Sequence, residues 1–259
     1  MTAGIDFEVQ GGIATITLNR PETNSLTLPL TQTLLEAATT CDEDRAIRAV
    51  LLQAHGRMFC AGGDLKDFAS QGDRIGAGLK TLAMTLHAAM SRFARMDKPL
   101  VCAVQGAAAG AGLSLAVSGD LVVAAKSASF TMAYTAAGLV PDGGSTYLLP
   151  RLVGLRRAQE LMITNRKLTA TEALEWGLVT QVVDDAELAT ASRALIEKLA
   201  AGPTKAFGAV KQLLLEAYGP FETQTEREGR AIAAQARTRD GQEGIRAFLE
   251  RRKPSFTGE

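Results

Sequence analysis

The sequence predicts an α/β fold: a spiral of stacked strand, strand, helix units over residues 1–200, followed by a helical region over residues 201–259. Three observations predict it. Short apolar segments suited to buried strands alternate with helical stretches. The strand, strand, helix order recurs without sequence identity between turns, which suits stacked units better than a doubly wound sheet. Beyond Leu155 the apolar spacing is almost wholly helical. A chain of 259 residues with 46% hydrophobic and 22% charged residues can form one substantial core with an appended element.

The elements follow in order. Phe7-Glu-Val9 turns at Gly11-Gly12 into Ile13–Leu18, where β-branched and small residues alternate as in a strand, and Asn19-Arg-Pro-Glu ends it. Leu28–Thr40 has helical spacing, and Ala49–Gln53 reads as a buried strand. Gly56–Gly63 is a loop, Gly76–Arg95 a long helix, and Pro99–Val104 a second buried strand. The small-residue run Ala107–Gly112 is expected to open a helix continuing through Val117, with short strands at Leu121–Ala125 and Ser129–Met132. Gly72–Gly78 is expected to resist regular structure and to form a mobile wall of a ligand pocket. Thr169 with Glu172 three residues later reads as a capping box for Ala170–Trp176. The segments 185–200, 203–218, 221–237 and 242–252 read as amphipathic helices that need something to pack against.

Charge and cysteine content exclude several classes. Lys+Arg 28 balances Asp+Glu 28, so no global field attracts nucleic acid or an anionic membrane, and basic residues do not interleave with aromatics. Cys41, Cys60 and Cys102 are odd in number, far apart and set in apolar contexts, which points away from disulfides and toward a reducing, cytoplasmic setting. The first residues lack a basic start followed by an apolar run, and no window reaches the roughly 20 apolar residues that span a bilayer. With two histidines and no paired Cys/His pattern, no metal site is expected.

Two segments carry chemistry. Phe59-Cys-Ala-Gly-Gly-Asp-Leu-Lys66 frees backbone amides for close approach to a ligand, although Gly-Gly-Asp also serves as an ordinary turn. Gln105-Gly-Ala-Ala-Ala-Gly-Ala-Gly112 lies between a buried strand and a helix, so its amides sit near a positive helix end; tight helix packing is the alternative reading. It is neither a Walker loop nor a clean GxGxxG.

Together with Gly138-Leu-Val-Pro-Asp-Gly-Gly-Ser-Thr-Tyr147, and in this order and spacing, these segments resemble the crotonase (enoyl-CoA hydratase/isomerase) superfamily. The resemblance runs from Leu18-Asn-Arg-Pro21 to Phe248-Leu-Glu-Arg-Arg-Lys-Pro254. It implies a crotonase-type spiral of ββα units with a C-terminal helical trimerisation region, a homotrimer or dimer of trimers, and an acyl-CoA thioester as substrate. No cofactor is implied beyond that coenzyme A. It also implies an oxyanion hole made by the amides of Ala61 and Ala111, which would stabilise the enolate formed when a proton leaves the carbon beside a thioester.

Hydratases of this family use two glutamates, and the matching positions here hold Ser114 and Tyr134, whose hydroxyls are poor bases near neutral pH. Asp142 offers a carboxylate from the Val-Pro-Asp-Gly-Gly turn instead. Isomerases of the superfamily, including the phenylacetate-pathway ring isomerases, are similar here, with one acid in this turn shuttling a proton between C2 and C4. Turn capping is the structural alternative for Asp142. The aryl-CoA dehalogenase branch is similar in the same turn; there the aspartate is a nucleophile and a histidine activates water, a role for which His87 is the candidate, and Tyr134 stands where that branch places an aromatic tryptophan, although an aromatic also suits a ring-bearing substrate in the isomerases. A non-catalytic coenzyme-binding or RNA-binding member is a third reading. By the same resemblance, Asn24, Ser25 and Leu26 flank the pantetheine, Asp64, Leu65 and Lys66 line the adenine end, and Gly62, Gly110 and Ser114 lie beside the thioester. Phe248, Lys253 and Phe256 belong to the tail that reaches the coenzyme, often from the adjoining subunit.

Overall fold

The computed structural model describes residues 3–259. Ile5–Gln10 (β1) and Ile13–Leu18 (β2) form the expected hairpin, with Ile5 opposite Leu18 and Gln10 opposite Ile13. The two residues left for the turn, Gly11 and Gly12, both have positive φ, 59° and 79°, as a two-residue hairpin loop of this hand requires. After Leu28–Glu43 (α1), Ala49–Ala54 (β3) runs parallel to β2. Leu65–Ser70 (α2) and Ile75–Arg95 (α3) lead to Leu100–Val104 (β4), parallel to β3.

Ala107–Ala109 (β5) and Ala111–Ala116 (α4) precede Leu121–Ala125 (β6), which extends the sheet beside β4, and Ser129–Thr131 (β7), which pairs with β5. Ser145–Val153 (α5), Leu155–Thr164 (α6), Leu168–Thr169 (β8), Ala170–Glu175 (α7) and Gln181–Val183 (β9) follow. Leu188–Ala200 (α8), Thr204–Leu215 (α9), Phe221–Gln235 (α10) and Arg239–Leu249 (α11) complete the chain. The result is one six-stranded sheet, β1-β2-β3-β4-β6-β9, and a three-stranded one, β5-β7-β8.

Both faces of the central strands β3, β4 and β6 are largely buried, which is why they read as nearly continuous apolar runs rather than alternating. Ala14, Ile16, Val50, Leu52, Cys102, Val104 and Val122 pack with Leu30 and Leu34 of α1 and Leu86 and Phe93 of α3. The intervening residues Ile13, Ala49, Leu51, Val101, Ala103 and Val123 face Ile196 and its neighbours on α8. The loops that leave the C-terminal ends of β2, β3 and β4 therefore start from fixed points, and they build the site.

Two expectations need correction. Ala107–Gly112 does not simply open a helix: Ala107–Ala109 pairs with Ser129–Thr131, and the helix begins only after Gly110, whose φ of 53° breaks the strand. Gly72–Gly78 is not irregular either. Gly72–Arg74 makes a single 3₁₀ turn and Gly76 and Gly78 lie inside α3. The buried stripe Leu82, Leu86, Met90 and Phe93 holds α3 to the core, which offsets the roughly 1 kcal/mol that each glycine costs a helix. The capping box at Thr169 forms as read: its hydroxyl accepts from Glu172 N and Glu172 accepts from Thr169 N.

The helical end attaches through α9. Lys211 donates to the carbonyls of Phe93 and Lys98, each at 2.8 Å, and pairs with Asp120 at 2.9 Å. Burial raises the Asp120 carboxyl and lowers the Lys211 ammonium, and the attraction between them opposes both shifts. Beyond α9 little is buried: α10 buries no residue, and Phe221, Ile232, Ile245, Phe248 and Leu249 are exposed. Among the described residues no helix is long and apolar enough to cross a membrane. Lys211→Ala strands the Asp120 carboxylate and two carbonyls, so its urea unfolding curve is expected to show a loss of about 3 kcal/mol, the usual consequence of breaking a buried pair from one side.

Candidate active site

Asn24 sets the geometry. It is fully buried with φ 49°; its Oδ1 accepts from Arg20 N at 2.8 Å, and its Nδ2 donates to the carbonyls of His55 and Met58 at 2.8 and 2.9 Å. That side chain ties the loop after β2 to the loop after β3. Leu26 continues the tie, donating to Gly62 O and accepting from Asp64 N. Arg20 reaches Ser25 O at 2.6 Å and Asp64 at 3.3 Å, and Asp64 caps α2 through Asp67 N.

The loop after β3 then meets the loop after β4. Cys60 bridges Ala108 in parallel register, and Gly62, at φ 94°, lies so close that a Cβ there would sit 2.8 Å from Ala109 O and 3.3 Å from Ala111 N. No side chain fits at that crossing. Ala61 N–H is already donated to Thr23 O at 2.9 Å, and Gly62 N–H points to Cys60 Sγ at 3.4 Å. The amides of Gly63 and Ala111 have no hydrogen-bond acceptor among the described residues. The amide pair free to hold an oxyanion is therefore Gly63 and Ala111. Ala61 contributes to the wall, but its amide is already spent.

Both amides border a cavity of about 340 Å³. Leu65 and Phe68 of α2, Leu79, Lys80, Leu82 and Ala83 of α3, and Leu139 and Val140 form much of its wall, with Tyr134 and Asp142 beside the amides. Among the lining residues Asp142 carries the one carboxylate. Its side chain is 28% exposed. Tyr134 OH donates to Asp142 Oδ1 at 2.5 Å, and Ser114 Oγ donates to the Asp142 carbonyl at 3.0 Å. Burial first, and then the Asp142 charge, push the Tyr134 hydroxyl above the ordinary phenol range, so it stays protonated as a donor.

His87 stands on the far side of the same turn. Its Nε2 accepts the Gly143 N–H at 3.0 Å and lies 3.7 Å from Asp142 Oδ2. Gly143 has φ 61°, and a Cβ there would fall 2.8 Å from Ser114 Cβ, so the turn too is closed to side chains. His87 and Gly143 face a second groove of about 900 Å³ rather than the cavity.

Seven of the expected residues meet around the cavity: Ala61, Gly62, Leu65, Gly110, Ala111, Tyr134 and Asp142. Asn24, Ser25 and Leu26 do not line it, because they are buried and their polar groups hold the loops. Ser114 is fully buried behind Asp142, Asp64 is taken up by the helix cap and Arg20, and Lys66 is exposed outside the wall. Phe248, Lys253 and Phe256 are absent from the cavity too. Phe256 packs on α11 near Gly244, and the following Gly258 lies against Arg48, at the opposite end of β3 from the loops of the site. The residues missed were Gly63, Lys80 and the α3 wall; the second glycine before Asp64 and the α3 stripe were the available signals. Among the described residues no three His, Cys, Asp or Glu side chains gather to hold a metal ion.

The chain matches the enoyl-CoA hydratase/isomerase family model over residues 8–259. It is 41% identical to the 1,2-epoxyphenylacetyl-CoA isomerase of Escherichia coli (strain K12), covering 96% of this chain and 97% of that protein. It is 35% identical to 4-chlorobenzoyl coenzyme A dehalogenase-2 of an Arthrobacter species, covering 89% and 84%. The solved structure of an enoyl-CoA hydratase from Polaromonas sp. JS666 superposes with a TM-score of 0.93 at 31% identity, covering 98% of this chain and 99% of that one.

Burial pushes the Cys41 and Cys60 thiols up to about 12, and Cys102 higher still. A disulfide reagent at pH 8 is expected to titrate none of the three thiols in the native protein within minutes and all three in guanidinium; fast native reaction at Cys60 would mean that the loop carrying Gly63 opens.

Proposed function

The chain belongs to the enoyl-CoA hydratase/isomerase family, and from that premise we propose that it moves a double bond in an acyl-CoA thioester, of the Δ3-to-Δ2 type, with Asp142 as the proton shuttle. The observation that carries this reading is one carboxylate beside two unpaired amides in one apolar cavity. The thioester oxygen accepts from Gly63 and Ala111. Asp142 removes a proton from C2, charge flows to that oxygen, and the two amides stabilise the dienolate. The carboxyl then returns the proton at C4, and the double bond is left between C2 and C3. Nothing else is required, so no cofactor is invoked beyond the coenzyme A of the substrate.

The rival reactions each need a group that is otherwise engaged. Hydration needs a second acid or base, whereas Ser114 donates to the Asp142 carbonyl and Tyr134 holds its proton firmly. Hydrolytic dehalogenation needs a histidine free to deprotonate water, and the His87 Nε2 lone pair is occupied by Gly143 N–H. The 41% identity with a 1,2-epoxyphenylacetyl-CoA isomerase supports an isomerisation of some kind, beside 39% identity with a probable enoyl-CoA hydratase. The exposed apolar residues of α10 and α11 support a homotrimeric assembly that would cover them, and the three unpaired thiols are compatible with a cytoplasmic setting.

Asp142→Asn is expected to lower the conversion of 3-enoyl-CoA to 2-enoyl-CoA by about 100-fold to 10,000-fold, the usual contribution of a positioned base, while thioester affinity changes only a few-fold. Undiminished turnover would remove Asp142 from the mechanism, and halide release from 4-halobenzoyl-CoA that depends on His87 would replace the isomerase reading. In light scattering the native protein is expected at three chain masses or six, and Phe248→Glu with Ile232→Glu at one; a native monomer refutes the assembly.

A further inference from the structure

We propose that Tyr134 is a positioning residue: its hydroxyl pins Asp142 Oδ1, so that Oδ2 alone carries the proton between C2 and C4. This rests on the isomerase reading above and adds to it which oxygen reacts and what holds it.

The carboxylate is held at one oxygen, and the backbone that carries it is held at two points. Tyr134 OH meets Oδ1 at 2.5 Å, Ser114 Oγ holds the Asp142 carbonyl at 3.0 Å, and His87 holds the next amide, Gly143 N, at 3.0 Å. The two backbone contacts fix where the side chain starts, and the Tyr134 contact restricts rotation of the carboxylate about its own axis. A carboxylate that rotated freely would present either oxygen to the substrate, and the proton would leave from whichever oxygen faced water. With Oδ1 occupied by a donor, the free lone pairs belong to Oδ2.

The basic nitrogen nearest Oδ2 belongs to His87 and is engaged by another donor. His87 Nε2 is 3.7 Å distant, beyond hydrogen-bond range, and its lone pair is already accepting from Gly143. The titratable groups facing the carboxylate are His87 from α3 and Tyr134 from the segment after β7; Lys80 of α3 borders the cavity as well. In the first half of the reaction the C2–H bond breaks and Oδ2–H forms, and the bonding pair passes through C1 to the thioester oxygen. In the second half Oδ2–H breaks and C4–H forms, the oxygen returns its pair to C1, and C2=C3 replaces C3=C4. The atoms of the substrate are conserved, and the carboxylate ends as it began.

The test uses Tyr134→Phe, which keeps the ring and removes the hydroxyl; circular dichroism and thermal melting establish that it folds. With 3-enoyl-CoA deuterated at C2 and turned over in ordinary water, the native enzyme is expected to deliver a measurable share of the label to C4. Tyr134→Phe should at least halve that share and lower kcat more than it raises KM. Equal label transfer in the two proteins, or a kcat unchanged by Tyr134→Phe, overturns the assignment of Tyr134 while leaving the isomerase reading intact. A native enzyme that turns over no enoyl-CoA overturns that reading, and the role of Oδ2 with it.

Discussion

The crossing of two backbone loops at Gly62 is the contact on which the rest of the site depends. The loop after β3 and the loop after β4 approach so closely that a single methyl group on Gly62 would strike Ala109 O. This closeness brings Gly63 and Ala111 to one cavity with their amides unpaired. Preorganised amides are effective because they face the growing charge without having to reorient during the reaction. Their neighbours supply the rigidity: Asn24 binds both loop ends with one buried amide side chain, and the Cys60–Ala108 bridge sets their register.

The sheet makes that crossing reproducible. Strands β2, β3 and β4 are parallel and buried on both faces, so the loops leaving their C-terminal ends start from points that the core fixes. The Lys211–Asp120 pair then fastens α9 to the turn before β4 and to the residue preceding β6. Beyond α9, α10 buries no residue and α11 buries only Asp240 and Ala247, so Phe221, Ile232, Ile245, Phe248 and Leu249 stay exposed.

Local rules made much of this fold legible. The hairpin at Gly11-Gly12 and the capping box at Thr169 each depend on residues within a few positions, and both formed as read. The glycines of α3 and the run Ala107–Ala109 were misread because distant partners, the core stripe and β7, override local preference there. The site shows the same division. Asp142 and Tyr134 could be found from their motifs. Which amide is free could not, since Ala61 loses its proton donor to Thr23, 38 positions away in sequence, and no pattern around Ala61 records that bond. Asn24 was expected to flank the pantetheine through its backbone because of the family resemblance, and its buried side chain with three backbone partners ties the two loops together instead of lining the cavity.

The hydroxyls at Ser114 and Tyr134 change what the cavity can do more than a simple loss of acid groups would. Two ionised glutamates beside Asp142 would place three carboxylates together, and like charges so close would raise one another's proton affinity and leave the protonation state mixed. Instead the Tyr134 hydroxyl holds the one remaining charge while Ser114 holds the Asp142 backbone carbonyl, and Tyr134, whose proton is retained by burial first and then by the carboxylate it serves, cannot compete for the proton in transit. Water addition requires one group to take a proton while another gives one. A double-bond shift requires a single group that takes a proton and keeps it until the far carbon is ready. An acid with one oxygen pinned by Tyr134, in a cavity lined by Leu82, Leu139 and Val140 and holding no second carboxylate, meets the second requirement and not the first.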